Sequence, residues 1–356
     1  MLETDLRLEP NEASDLCPVL DAQEQAARGW DRAFATVLDE AAAVDCLAVL
    51  VHGAGAPLDD GWSAVRVRCE AHEAGRAEDA EACARRDGWL YVLGSQFGSK
   101  DGPLQAKRSW VARVREADLA GAVADGTPVR MELVRLRFAL HRAVNDALAA
   151  AAVELLPVGP LTRERYVEAT IARGEQGGKS WAGQVRPGDH PINVEAMAFR
   201  PDGRLVLGLR YPTTARGAPL LVELDDVAAV FAGAAPACSS VRWLEGVGAP
   251  ERPVGVRALH ATPGGELHAV LGNLDARGKG ATVLEDHPEG AAATSVHVRF
   301  ALPDLAATGP VAAQVVRDLG GRERVEGLAL DADGHTHYVV DDEGSVALRS
   351  HPVDGV

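Results

Sequence analysis

An all-β fold of the β-propeller type is what this 356-residue chain predicts. Three features point to it: a repeated β-hairpin, short β-rich runs after most copies, and near-regular spacing of the copies. The clearest copy is NVEAMAFRPDGRLVLGLR, residues 193–210. A carboxylate stands at the head of an apolar run, the chain turns at Asp202-Gly203, and an alternating strand returns through Leu205, Leu207 and Leu209 to Arg210. Asp-Gly supplies the positive φ angles that a tight hairpin turn requires. DAEACARRDGWLYVLGSQ (79–96), VGVRALHATPGGELHAVLGN (254–273) and RVEGLALDADGHTHYVVDD (324–342) repeat the pattern, and Asp15-Leu16-Cys17 opens a fainter fifth copy. SWVARVR, PLLVEL, SVHVRFAL and SVALRSH supply further strands.

The elements follow in order. DLRLE, residues 5–9, alternates and is assigned as the outer strand of the last blade, which joins the two termini and hides an open edge. AARGWDRAFATVLDEAAAV has enough alanine for a helix, but the repeat requires a strand over FATVLDE. Copies begin near 15, 81, 195, 255 and 326, with one wide gap of 114 residues after the second. Within that gap, residues 136–156 are rich in Ala and Leu, and Leu140, Val144 and Leu148 recur at i+4. This predicts a helix over 139–154. IARGEQGGKSWAGQVRPGDHP then reads as a glycine-rich loop. The expectation is one domain, 1–356, of five blades with a helical and loop insertion at 136–180; a sixth, degenerate blade in the wide gap is the alternative. The last copy offers strands at about 325–330, 336–341 and 345–350.

Composition narrows function. The net charge is −16 and aromatics make up 4% of residues, so the chain repels phosphate backbones and anionic lipid and lacks a base-stacking surface. Neither nucleic acid nor a membrane is expected as a partner. Five cysteines without a CxxC pair fit reduced, buried thiols in a cytoplasmic protein. No secretory h-region and no long apolar run is visible.

The quoted hairpins, taken with GVRALHATPGGELHAVLGN and RVEGLALDADG, resemble a bacterial family of uncharacterised propellers, domain of unknown function 3616. That family is distantly similar to esterase-like phytase propellers. The resemblance spans about residues 12–345 and implies the propeller fold more than any activity. Where the family motif reads Asp-Leu-Glu-Gly, this chain has Asp79-Ala80-Glu81-Ala82. Where Ser-His is common, it has Ser95-Gln96.

In a propeller the first strand of each blade lines the central channel, so equivalent positions form a ring. The template position gives Cys17, Glu81, Glu195, Arg257 and Glu326. Grouped carboxylates raise one another's pKa unless a cation compensates. Arg210 and Arg257 can compensate directly, and so can Ca²⁺ or Mg²⁺, with Glu81, Glu195, Glu326 and Asp342 as ligands. The functional reading makes the three glutamates catalytic in a metal-assisted or acid–base hydrolase of a small ester or phosphoester. Arg210, Arg257 and Asn273 then bind a small anionic molecule. The structural reading makes the same glutamates fasteners of the ring, with Arg210 as a salt bridge. A non-catalytic scaffold for a protein partner is the alternative function, as is a pathway-specific enzyme of other chemistry. GEQGGKS lacks the first P-loop glycine, since Arg173 holds that position. LDADGHTHYV lacks the distal ligands of a calcium loop and reads as a hairpin turn, and no GxSxG elbow is present.

Overall fold

Apolar alternation interrupted by a Gly turn gives antiparallel pairing in each of the five stretches. Asn193–Phe199 pairs with Leu205–Tyr211, Ala80–Arg86 with Trp89–Gly94, and Gly255–Ala261 with Glu266–Gly272. Val325–Leu330 pairs with Thr336–Asp342, and Ala13–Pro18 with Trp30–Leu38. The computed structural model describes the chain apart from residues 1, 7, 9–12, 73–74, 276–280, 304–306, 321–323, 343–344 and 352–356 and the side chains of Asp342 and Ser345.

Each hairpin opens its own sheet. The described strands form five sheets of four or five strands, and the chain runs outward through three or more consecutive strands in each of the first four. The first strands pack side by side in cyclic order, and Ala13–Pro18 also meets Val325–Leu330, so the series closes on itself. Gly327 sits at that closure. A Cβ there would lie 2.8 Å from the backbone carbon of Asp15, a separation only glycine permits. Apolar side chains fill the spaces between neighbouring sheets, with Leu205, Leu207 and Leu209 of the return strand fully buried.

The last sheet is completed from the N-terminus, as the sequence led us to expect, but by Leu2–Leu6 rather than residues 5–9. Its register runs from Leu2 opposite Ser350 to Leu6 opposite Val346, one residue from the start of the partner strand at Ser345; of the expected 5–9 stretch, residues 7 and 9 lie outside the described residues. Two outer edges are covered by parallel additions, Cys69–Glu70 and Gly309–Ala312.

The helix Ala139–Ala151 lies between the second and third sheets in sequence and stops three residues before the predicted end, at Ala152 with φ +50°. The region read as a loop is helical in its first part. Helical turns run from Pro160 to Gln176, anchored by the buried ring of Tyr166, which stacks on Phe97 at 4.6 Å. A further helix, Glu116–Asp125, was not foreseen; it links Trp110–Arg115 to Val129–Arg135 and ends at Gly126. All five cysteines are free, and four are buried. Among the described residues no helix is long and apolar enough to cross a membrane.

Candidate functional site

A β-bulge explains how a charge can head a core strand. Ala80 pairs with Gly94 and Ala82 with Leu93, leaving Glu81 as an extra residue between them. The same shift falls at Glu195, Arg257 and Glu326. An extra residue leaves the pleat and re-aims its side chain. The first strand has its shift between Ser14 and Cys17, at Asp15 and Leu16. Cys17 is therefore not the equivalent position, a correction to the alignment. The apolar alternation does not reveal where an extra residue enters. Asp15 points inward instead, accepting hydrogen bonds from the amides of Leu16 at 2.9 Å and Cys83 at 2.8 Å. Burial holds its carboxyl well above the usual carboxylate range.

Glu81, Glu195, Arg210, Arg257, Asn273 and Glu326 all line one cavity of about 680 Å³. The side chain of Asp342 lies outside the described residues; its neighbour Asp341 is at the wall. Glu195 is the hub. Its Oε1 accepts from Arg210 Nη1 at 2.7 Å and from Asn193 Nδ2 at 3.0 Å. Its Oε2 lies 3.1 Å from Arg257 Nη1, an ion pair without hydrogen-bond geometry. Arg257 donates its other arm to Glu326. Arg210 donates to Asn273 through Nε to the backbone oxygen and Nη2 to Oδ1, each at 3.1 Å. Of the two readings of Arg210, the salt bridge is the one observed. Both guanidinium groups are ion-paired to ring glutamates, although Nε and Nη1 of Arg257 find no hydrogen-bond acceptor among the described residues.

Glu81 differs from the other two glutamates. Among the described residues its carboxyl has no hydrogen bond and no ion pair. Burial raises its pKa well above the ordinary value, and the charges of Asp79, Glu195, Asp39 and Glu326 push it further in the same direction. Asp79, two residues earlier, has φ +67° and a buried carboxyl. It pairs with Arg108 Nη1 at 2.8 Å and accepts from Ser95 Oγ. Burial outweighs both partners and carries its pKa up to about 6. Glu326 is raised by burial as well, with Arg257 opposing the shift.

Sequence reasoning missed Asp79, Ser95, Lys100 and Arg108 at this cavity. Asp79 stood inside a quoted motif and was legible as an acid beside Glu81. Arg108 ends a short 3₁₀ turn, Ala106–Arg108, outside any repeat, and nothing in the sequence signals it. Ser95 accepts from the Phe97 amide at 3.1 Å, while Gln96 turns into the sheet and accepts from Ser109 Oγ at 2.9 Å.

The donor set does not fit a divalent cation. Guanidinium groups already occupy the space between Glu195 and Glu326, and an ion placed there would face the Arg257 charge. Nor do the oxygens of Glu81, Glu195 and Glu326 converge to metal-ligand spacing. Among the described residues only Asp331, Asp333 and His335 do so. That trio belongs to a hairpin turn in which Gly334 has φ +82°. Arg32 is already inserted between its carboxylates, with Nε 2.6 Å from Asp331 and Nη2 2.7 Å from Asp333.

No family model matches the chain, and no curated protein matches it. Solved structures do show similarity. A mannose phosphorylase from Leishmania mexicana is 12% identical over 99% of this chain and 88% of its own, with a TM-score of 0.42. A GH43 endo-arabinanase from Bacillus licheniformis is 12% identical over 98% and 95%, with a TM-score of 0.43. An exo-1,5-α-L-arabinanase from a bovine ruminal metagenomic library is 11% identical over 97% and 96%, with a TM-score of 0.40. Identity and TM-score are both too low to carry an activity across to this chain.

Proposed function

We propose that this chain is a five-bladed propeller with a helical insertion after its second blade, working as an acid–base hydrolase of a small, uncharged ester. Support comes from one observation above all. Glu81 is a carboxyl without a partner among the described residues, facing a cavity, in surroundings that raise its pKa well above the ordinary carboxyl value. Asp79 beside it titrates near 6 and is ionised at neutral pH. Two neighbouring carboxyls with separated pKa values divide the work of acid and base. Asp79 takes a proton from a water molecule that attacks the ester carbonyl, and Glu81 delivers its proton to the departing alkoxide. Acid and alcohol leave, Asp79 gives up its proton to solvent, and Glu81 takes one back, so both groups return to their starting states.

Glu195 and Glu326 act as fasteners in this reading, with Arg210 and Arg257 holding them. The substrate is uncharged because both arginines are committed and the wall is rich in carboxylates. A reducing, cytoplasmic setting suits five free thiols. Hydrolysis of p-nitrophenyl acetate and butyrate by the wild type and by Glu81→Gln tests the assignment. The variant is expected to lose about 10²–10⁴ in kcat while its melting temperature does not fall. Absence of wild-type turnover, or undiminished turnover by the variant, overturns it.

A further inference from the structure

A second cavity, of about 540 Å³, lies away from the channel, against the helix Ala139–Ala151. Its wall is apolar on one side, with Leu148, Val153, Leu155 and Pro157, and carries Arg163 and His190 on the other. The floor is built from fixed parts. Asn145 donates to the His190 carbonyl at 3.1 Å and accepts from its amide at 2.9 Å. Arg142 bridges both oxygens of Asp189 at 2.8 Å. His190 Nε2 bonds the Leu156 oxygen at 3.2 Å. These ties cancel the charge of Arg142 against Asp189 and lock the loop onto the helix.

Arg163 is the exception. Its side chain makes one hydrogen bond, to the Val158 carbonyl at 3.3 Å, and among the described residues it has no carboxylate partner. Of the two arginines on this wall, Arg142 is ion-paired and Arg163, which is exposed, is the one that has no carboxylate beside it among the described residues. A single uncompensated cation beside an apolar wall is complementary to one negative charge on an apolar body. A dianion asks for more positive charge than the wall offers, and a cation is repelled.

We propose that this cavity binds a monocarboxylate with a short aliphatic chain, its carboxylate on the Arg163 fork and its tail on Leu148, Val153 and Leu155. The site is independent of the acid–base site in the channel. Titration calorimetry of the full chain with hexanoate and hexylamine tests it. Hexanoate at about 10 mM should bind and raise the melting temperature, and hexylamine should not. Arg163→Gln, a surface change, should weaken hexanoate about ten- to hundredfold. Ala149→Trp, at an exposed helix position on the cavity wall, should block it, while Glu81→Gln should leave it unchanged. Equal binding of the amine, unchanged affinity in Arg163→Gln, or no heat from hexanoate overturns the proposal.

Discussion

Replacing Arg257 by leucine is the sharpest test of how the ring holds its charges. Arg257 is 5% exposed and bridges Glu195 and Glu326 from neighbouring strands. Without it, Glu195 still has Arg210 and Asn193, whereas Glu326 loses its one ion pair among the described residues. Removing one partner of a buried pair costs about 3–5 kcal/mol, because the other charge stays out of water. For a chain of this length that corresponds to a fall of about 4–7 °C in melting temperature. The deficit must depend on pH. Burial already raises the Glu326 pKa, and losing Arg257 removes the opposing pull, so the folded-state value climbs further. A carboxyl with a raised folded pKa is accommodated while protonated, and stability is lost as pH rises through that pKa. Scanning calorimetry should therefore show a larger deficit near pH 7 than near pH 5, and Glu326→Gln in the Arg257→Leu background should recover part of it. Equal deficits at both pH values, or no recovery, would refute the bridging role.

Three further outcomes follow from the same charges. Glu81→Gln should raise the melting temperature by about 2–4 °C above the ordinary carboxyl range and change it little in acid, because above that range the unfolded chain ionises Glu81 while burial opposes its ionisation in the folded chain; a loss at neutral pH would contradict this. His260 and His297 are held down to about 3 by burial, and His297 sits between His268 at 2.9 Å and the Tyr338 hydroxyl at 2.7 Å. The unfolded chain binds protons there first, so stability should fall as pH drops from about 6.5 towards 3; His297→Gln should flatten that slope in acid melting curves. Finally, EDTA or added Ca²⁺ should shift the melting temperature by less than about 1 °C, since arginine occupies the space between the glutamates; a rise of several degrees overturns that fit argument.

How much was legible depended on whether a feature repeats. The hairpins could be read because Gly turns and period-two alternation are local, and the spacing of their copies gave the succession of sheets. Glu81, Glu195, Arg257 and Glu326 were brought to one ring by alignment alone, and the coordinates place all four on one cavity. Cys17 was misplaced because a bulge adds a residue without changing composition. The helical turns from Pro160 to Gln176 were hidden for another reason. Gly174 and the flanking Gly-Gly argue against a helix, and tertiary contacts override that propensity. The Tyr166 hydroxyl donates to the Ser99 and Lys100 carbonyls, and its ring covers Phe97. Such contacts join distant residues and leave no period to find. Arg108 and Lys100 belong to the same category: each reaches the cavity from a segment outside the hairpins.

The bulges also separate chemistry from packing. Glu81 lies between Ala80, in the core against the first sheet, and Ala82, in the core against the third. Glu195 lies between Val194 and Ala196, which likewise serve different inter-sheet cores, and Arg257 between Val256 and Ala258 does the same. In a regular strand the pleat offers two directions, and in this ring both are already filled by apolar side chains. A charged residue confined to the pleat would enter a core and carry a large desolvation cost. The extra residue supplies a third direction, towards the axis. Since the flanking residues keep their packing whatever occupies that position, the ring can carry glutamate at three places and arginine at a fourth without altering its sheets. The fold therefore fixes where the charges meet, while the identities at the bulges decide which carboxyls are ion-paired and which one, Glu81, has no partner among the described residues.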